Sequence, residues 1–94
     1  MNDNYILYPN GSKCPIFPKE KDGMFTVTQL QDVVGGYIGV QDMGEQCLVY
    51  NDEGDLDDRP YNEEATALIR GFNEEFRRIV SGPVVVCRRG RIKV

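Results

Sequence analysis

Residues 25–50, FTVTQLQDVVGGYIGVQDMGEQCLVY, decide how the rest of the chain is read. They hold a helix followed by two strands, each with its own punctuation. Thr26 is placed as an N-cap and Gln29 as the third helical residue, the spacing of a capping box in which a hydroxyl covers one backbone N–H and an amide returns to another. Phe25 before the cap and Leu30 after it are placed as a hydrophobic staple. Leu30, Val33 and Val34 share one face. Gly35-Gly36 then stops the helix, because glycine enters the left-handed region without a Cβ clash. Residues 37–41 and 46–50 read as strands paired antiparallel across Asp42-Met43-Gly44-Glu45, a turn of hairpin length.

Working outward, Tyr5-Ile6-Leu7-Tyr8 is a β-favouring run closed by the turn residues Pro9-Asn10-Gly11. Residues 13–23 carry Pro15 and Pro18 among charged neighbours and read as loop or irregular edge, with Cys14, Ile16 and Phe17 pinning it to the body. On the C-terminal side Asn51-Asp52-Glu53-Gly54-Asp55 turns the chain and residues 56–60 carry no regular pattern. Ala65, Leu68, Ile69, Phe72, Phe76, Ile79 and Val80 then recur at steps of three and four, which predicts a helix capped by Asn62 and ended by Ser81-Gly82-Pro83. Glu63 and Glu64 sit at the favourable end of its dipole and Arg77 and Arg78 near the other; Gly71 marks a place where it can break. Val84-Val85-Val86-Cys87 reads as a central strand covered by a helix, and residues 92–94 as a short last strand. The predicted class is α+β: one small domain over 1–94, with strand plus irregular loop over 1–24 and the core over 25–94. Its order is strand, helix, strand, strand, helix, strand, with a mixed sheet and both helices packed on one face.

The 94 residues are 40% hydrophobic and 28% charged, ordinary globular material. No apolar run approaches the roughly 20 residues of a membrane span, and the start MNDNYILYPN does not have the basic-then-apolar pattern of a signal peptide. The sequence has no histidine, which removes histidine-based triads, most zinc sites and the imidazole proton shuttle. Cys14, Cys47 and Cys87 are widely spaced and odd in number. That is a poor disulfide framework, and Cys47 and Cys87 lie in apolar runs where a thiol packs as a small hydrophobe, so a reducing cytoplasm is expected.

The runs LQDVVGGYIGV (30–40), CLVYNDEGDL (47–56), RPYNEEATALI (59–69) and SGPVVVC (81–87) together resemble a family of small uncharacterised domains encoded by bacteriophages, plasmids and bacteria. The resemblance covers most of the chain from Leu30 onward. Asp52 in the acidic turn and the basic end from Arg88 to Lys93 depart from the family pattern. What the resemblance implies is a mobile-element origin and a setting inside the bacterial host cell; it brings no catalytic residues with it.

The net charge of −4 hides a division. Asp52, Glu53, Asp55, Asp57 and Asp58 form an acidic segment opposed only by Arg59, whereas Arg88, Arg89, Arg91 and Lys93 make the end basic. Counted from Asp55, the sixth position of a calcium loop falls on Pro60 and the twelfth holds no glutamate, which excludes that loop type. No metal and no cofactor is expected, although a weak Mg²⁺ site from Asp55, Asp57 and Asp58 stays open. Gly35-Gly36 follows a helix, whereas phosphate cradles precede one. Without histidine, and with no base beside Ser12, Ser81 or any cysteine, a catalytic constellation is not legible, and the expectation is a protein that is not an enzyme.

Two binding readings remain, beside a third in which a concave pocket holding several carboxylates would mark a minor enzyme. In the first, a small accessory protein of a mobile element binds a host protein or protein complex through the acidic face Asp52, Glu53, Asp55, Asp57 and Asp58, and interferes with a bacterial defence system. In the second, Arg88, Arg89, Arg91 and Lys93 contact nucleic acid or a nucleotide, with Tyr5, Tyr8, Tyr37, Tyr50 and Tyr61 as stacking platforms. No membrane partner is expected, and an exposed sheet edge leaves a homodimer open.

Overall fold

The computed structural model describes residues 3–53 and 59–93. The hairpin at its centre follows from local chemistry. Strands β3 (Ile38–Met43) and β4 (Gln46–Asn51) pair antiparallel, with Met43 opposite Gln46, so only Gly44 and Glu45 lie in the loop. Gly44 holds φ +78°, the positive value that a two-residue hairpin loop asks of its first residue. Within β3, Gly39 lies opposite Tyr50. A Cβ there would come within 2.6 Å of the Tyr50 ring, so the glycine makes room for a buried aromatic.

Helix α1 (Val27–Val34) begins as its sequence dictates: Thr26 Oγ1 accepts the Gln29 N–H at 3.1 Å, and Phe25 and Leu30 are both fully buried in one cluster. Gly35 ends it at φ +84°, its N–H donating to the Gln31 carbonyl. One half of the expected capping box is replaced. Instead of returning to Thr26, the buried Gln29 carboxamide donates to the Phe17 carbonyl at 2.8 Å and accepts from the Lys19 N–H at 3.2 Å. It therefore fastens the proline-bearing loop to the helix.

That loop contains a strand. β1 (Tyr5–Leu7) pairs antiparallel with β2 (Lys13–Pro15), the chain reversing through Gly11 at φ +87°. The sheet is completed by β5 (Val84–Arg88) in the order β2-β1-β5-β4-β3, and every strand pair in it is antiparallel. The described residues thus form an α+β domain with two helices and a five-stranded antiparallel sheet. The expected mixed sheet is corrected on that point. Parallel pairing is confined to an isolated bridge between Phe25 and Ile92, which is all that the described residues show of the expected last strand over 92–94; Val94 lies outside them.

The second helix, α2 (Glu63–Phe72), is shorter than its apolar periodicity predicts. It stops directly after Gly71-Phe72, where Asn73 turns to extended backbone (φ −138°) and its side chain accepts the Glu75 N–H at 3.2 Å. A side chain that satisfies nearby N–H groups competes with the helix for them. Phe76 and Val80 nevertheless fall into the cluster that holds Ala65 and Ile69, so the pattern recorded burial rather than helix. Arg70, not Arg77 or Arg78, occupies the last helical turn.

The helices lie on opposite faces of the sheet, correcting the expectation of one shared face. Successive strand residues point to opposite sides. Val84, Val86, Leu48, Tyr50 and Leu7 join Ala65 and Ile69 of α2. Val85, Cys87, Cys47 and Val49 join Leu30 and Val34 of α1. The uninterrupted run from Val84 to Cys87 already requires this, since a strand apolar on both sides must be covered on both.

Between the α2 layer and the strands sits a polar anchor. Asn62 is fully buried; its Oδ1 accepts the Ala65 N–H at 3.1 Å, and its Nδ2 donates to the carbonyls of Leu7 at 3.0 Å and Gly82 at 2.9 Å. Its backbone N–H donates to Val80. One carboxamide therefore caps α2 and ties it to the end of β1 and to the approach of β5.

Candidate functional site

The basic end is built differently from a free cationic patch. Arg88 faces Asp3 at 3.6 Å, Arg89 faces Asp42 at 3.5 Å, and Lys93 faces Asp22 at 3.0 Å. Arg91 reaches the Gly23 carbonyl at 3.5 Å. The hydrogen bond from Lys93 holds the Asp22 carboxyl below its usual range, and the same bond raises Lys93. Each of these cations is thus matched by an acid or a carbonyl from a distant part of the chain. All the ion pairs are well exposed, so their local effect is charge cancellation more than stability.

The tyrosines do not assemble around these cations. Tyr50 is buried, edge-on to Phe76 with ring centroids 5.9 Å apart. Tyr8 and Tyr61 line a groove of about 580 Å³ with Pro9 and Pro60. Tyr5 shares a different groove, about 550 Å³, with Arg88, but Lys13 lies 5.2 Å from its ring, and Asp3 and Glu45 line the same space.

Of the acidic segment, Asp52 and Glu53 fall within the described residues, whereas Asp55, Asp57 and Asp58 lie outside them. Asp52 is held in place. Its carboxylate meets Arg78 at 2.6 Å, its carbonyl accepts from the same guanidinium, and Arg78 stands 5.8 Å from the Tyr50 ring centroid. Glu53 is exposed, its N–H donating to Asn51 Oδ1 at 2.8 Å. Among the described residues no three acidic, cysteine or histidine side chains converge as a metal-ligand set.

Residues whose role the sequence did not disclose gather at the C-terminus of α1. The Val34 carbonyl accepts from Asn51 Nδ2 at 3.1 Å and from the Arg59 guanidinium, which also reaches the Gly35 carbonyl at 3.2 Å. A cation at the negative end of a helix dipole is favourably placed. In the sequence Arg59 reads only as the lone base of an acidic run; the Gly35 carbonyl it reaches lies 24 residues away, beyond any local signal.

The surface with the clearest opening is an edge of the sheet. β3 is six residues long and contains no lysine and no proline. Val40 is 50% exposed at its middle and Tyr37, just before it, 68% exposed. Among the described residues no further strand covers its outer side. The opposite edge, β2, is three residues long and carries Lys13 and Pro15, both exposed.

With this geometry in place, residues 5–92 match the model of a domain of unknown function, DUF3846. The chain belongs to that family. Neither a curated protein nor a solved structure matches it. In this DUF3846 chain the four runs quoted above meet one another in space: Arg59 from the third covers the helix end in the first, Asn51 from the second reaches the same carbonyl, and Asn62 from the third binds Gly82 in the fourth. No helix of the described residues is long and apolar enough to cross a membrane.

Proposed function

We propose that this DUF3846 protein is a small, non-catalytic accessory protein of a mobile element. It acts by binding a host protein or protein complex, and it binds through the edge of β3. The observation that carries the reading is that open edge, with its outward peptide groups and the exposed Val40 and Tyr37 beside them. An extended segment of a partner adding to such an edge gains main-chain hydrogen bonds, and side-chain contacts at alternate positions supply specificity. The resemblance to mobile-element domains supports a setting in the bacterial cytoplasm, with interference in a defence complex as the form the binding takes.

The same geometry lowers the claim of nucleic acid. Phosphate recognition needs cations free to neutralise phosphates and so displace the counterions condensed on the nucleic acid, and the arginines and lysine of the basic end already face acids or carbonyls of their own domain. The acidic face, from Asp52 to Asp58, is a second protein-binding surface to be compared with the β3 edge.

Affinity capture from host lysate, followed by mass spectrometry, tests both surfaces at once. Val40→Lys is expected to remove the captured protein while leaving thermal unfolding unchanged. Reversing Asp55, Asp57 and Asp58 to lysine is expected to leave capture intact. Capture that survives Val40→Lys and fails with the acidic reversal would move the site to the acidic face.

A further inference from the structure

Cys47 and Cys87 lie directly opposite each other on neighbouring strands, β4 and β5, with their sulfur atoms 3.6 Å apart. Both are reduced and buried. We propose that this cross-strand dithiol is a site of reversible oxidation, which a hydroperoxide converts to a Cys47–Cys87 disulfide. The inference does not rest on the docking role of β3.

Register carries the argument. Residues directly opposed on antiparallel strands hold their Cα atoms about 4.5–5.5 Å apart, inside the window of about 4.4–6.8 Å that a disulfide needs. No backbone rearrangement is therefore required to bring the sulfurs together. Cys14, by contrast, is exposed on β2 and belongs to no such pair.

The two thiols are inequivalent. Cys87 is fully buried and in the middle of the sheet. Cys47 is 5% exposed and stands one residue inside the end of β4, beside the Gly44-Glu45 loop and opposite Asp42, which the Arg89 guanidinium faces. The contact between the two thiols lowers Cys47, opposed by burial and the Asp42 charge and helped slightly by Arg89, whereas the same contact and then burial push Cys87 up. Cys47, the one of the two with any exposure and the one nearer the hairpin loop, is therefore the sulfur a hydroperoxide reaches first, and its thiolate is the nucleophile.

The chemistry balances in two steps. The Cys47 thiolate attacks one oxygen of the hydroperoxide, the O–O bond breaks, and the departing oxygen leaves as water or alcohol after taking a proton. Cys47 is then a sulfenic acid. The Cys87 sulfur attacks it, the S–O bond breaks, and hydroxide leaves as water with the Cys87 proton. Two thiols have lost two electrons and two hydrogens, and the hydroperoxide has been reduced. A dithiol reductant returns the pair by exchange. The bond fastens β4, and with it the β3–β4 hairpin, covalently to β5.

The test uses the full chain carrying Cys14→Ser, which removes the exposed thiol and leaves the pair intact. After treatment with hydrogen peroxide, intact mass and peptide mapping read the product, and thermal unfolding reads its consequence. The expected product is monomeric, has lost two hydrogens, and links the peptides of Cys47 and Cys87. Its Tm rises by about 10 °C, because a cross-link across a long loop restricts the unfolded chain. A dithiol reductant reverses both changes. Addition of oxygen without a Cys47–Cys87 link, or no reaction under conditions that oxidise a free cysteine in the same tube, would overturn the proposal. So would a linked product with unchanged Tm and no reversal.

Discussion

At one edge of the sheet β2 runs for three exposed residues, Lys13-Cys14-Pro15; at the other β3 runs for six, with an exposed valine and neither lysine nor proline. Short length, lysine and proline are the usual ways a protein prevents its sheet from pairing with a stranger. The chain uses all three at β2 and none of them at β3. Both edges belong to antiparallel hairpins, but they differ in strand length as well as in residue choice. β2 is closed by composition; β3 is left open.

The largest expected effect loosens the closed side. Asn62→Ala removes the cap of α2 and leaves the Leu7 and Gly82 carbonyls without their partner inside the core. Losing a cap and orphaning two buried acceptors costs about 3 kcal/mol. Urea denaturation reads the loss, and amide exchange should accelerate first along β1 and β2, which that carboxamide anchors through Leu7. Uniform acceleration through β3 as well would break the comparison.

Next comes Gly39→Val, which alters the open side from within. The added side chain collides with the buried Tyr50 ring, and overpacking of this kind costs about 2 kcal/mol. Equilibrium unfolding measures it. A neutral result would mean that β3 is not held against Tyr50 in solution.

Val40→Lys gives β3 the guard that β2 already has. At an exposed strand position its effect on stability should stay within about 0.5 kcal/mol, while binding at the edge is lost. Sedimentation of the unmodified chain over a concentration series adds a refinement, since a second copy pairing at β3 would show as a dimer that Val40→Lys dissolves.

The smallest effect belongs to neither edge. The Asp22–Lys93 pair fastens the C-terminal segment near the Phe25–Ile92 bridge. Asp22 is lowered by the Lys93 hydrogen bond, so its contribution is present above the unfolded carboxylate value and is lost as pH falls through the folded one. Lys93 is raised, so its contribution is present below the unfolded lysine value and fades as pH rises through the folded one. NMR titration of the Asp22 carboxyl carbon should show the displaced midpoint, and Asp22→Asn should leave partner capture unchanged.

Much of this fold is legible because its signals are local. Thr26, Phe25, Leu30 and Gly35 specify α1 from within a dozen residues, and Gly44 specifies the hairpin loop. What escaped the sequence depends on distance. β2 is a strand only because β1 lies beside it, and three residues containing a proline announce nothing of the kind. Phe76 and Val80 continue the spacing of α2 after the helix has ended, because irregular chain can bury residues at the same interval. The uninterrupted apolar run of β5 calls for cover on both faces, but which helix takes which face depends on partners distant in sequence. The candidate sites divide in the same way. The charges of Arg88, Arg89 and Lys93 are plain in the sequence, whereas their pairing with Asp3, Asp42 and Asp22 spans tens of residues. The opposition of Cys47 and Cys87 is likewise a matter of strand register.

Site-specific photo-crosslinking in bacterial cells that express the protein reads directly whether the β3 edge is the binding surface. A benzophenone side chain is placed in turn at Val40 on β3, at Lys13 on β2 and at Arg91 in the basic end. One dominant adduct with a cellular protein is expected from Val40 and none from the other two positions. An adduct from Lys13 or Arg91 with Val40 silent would contradict it.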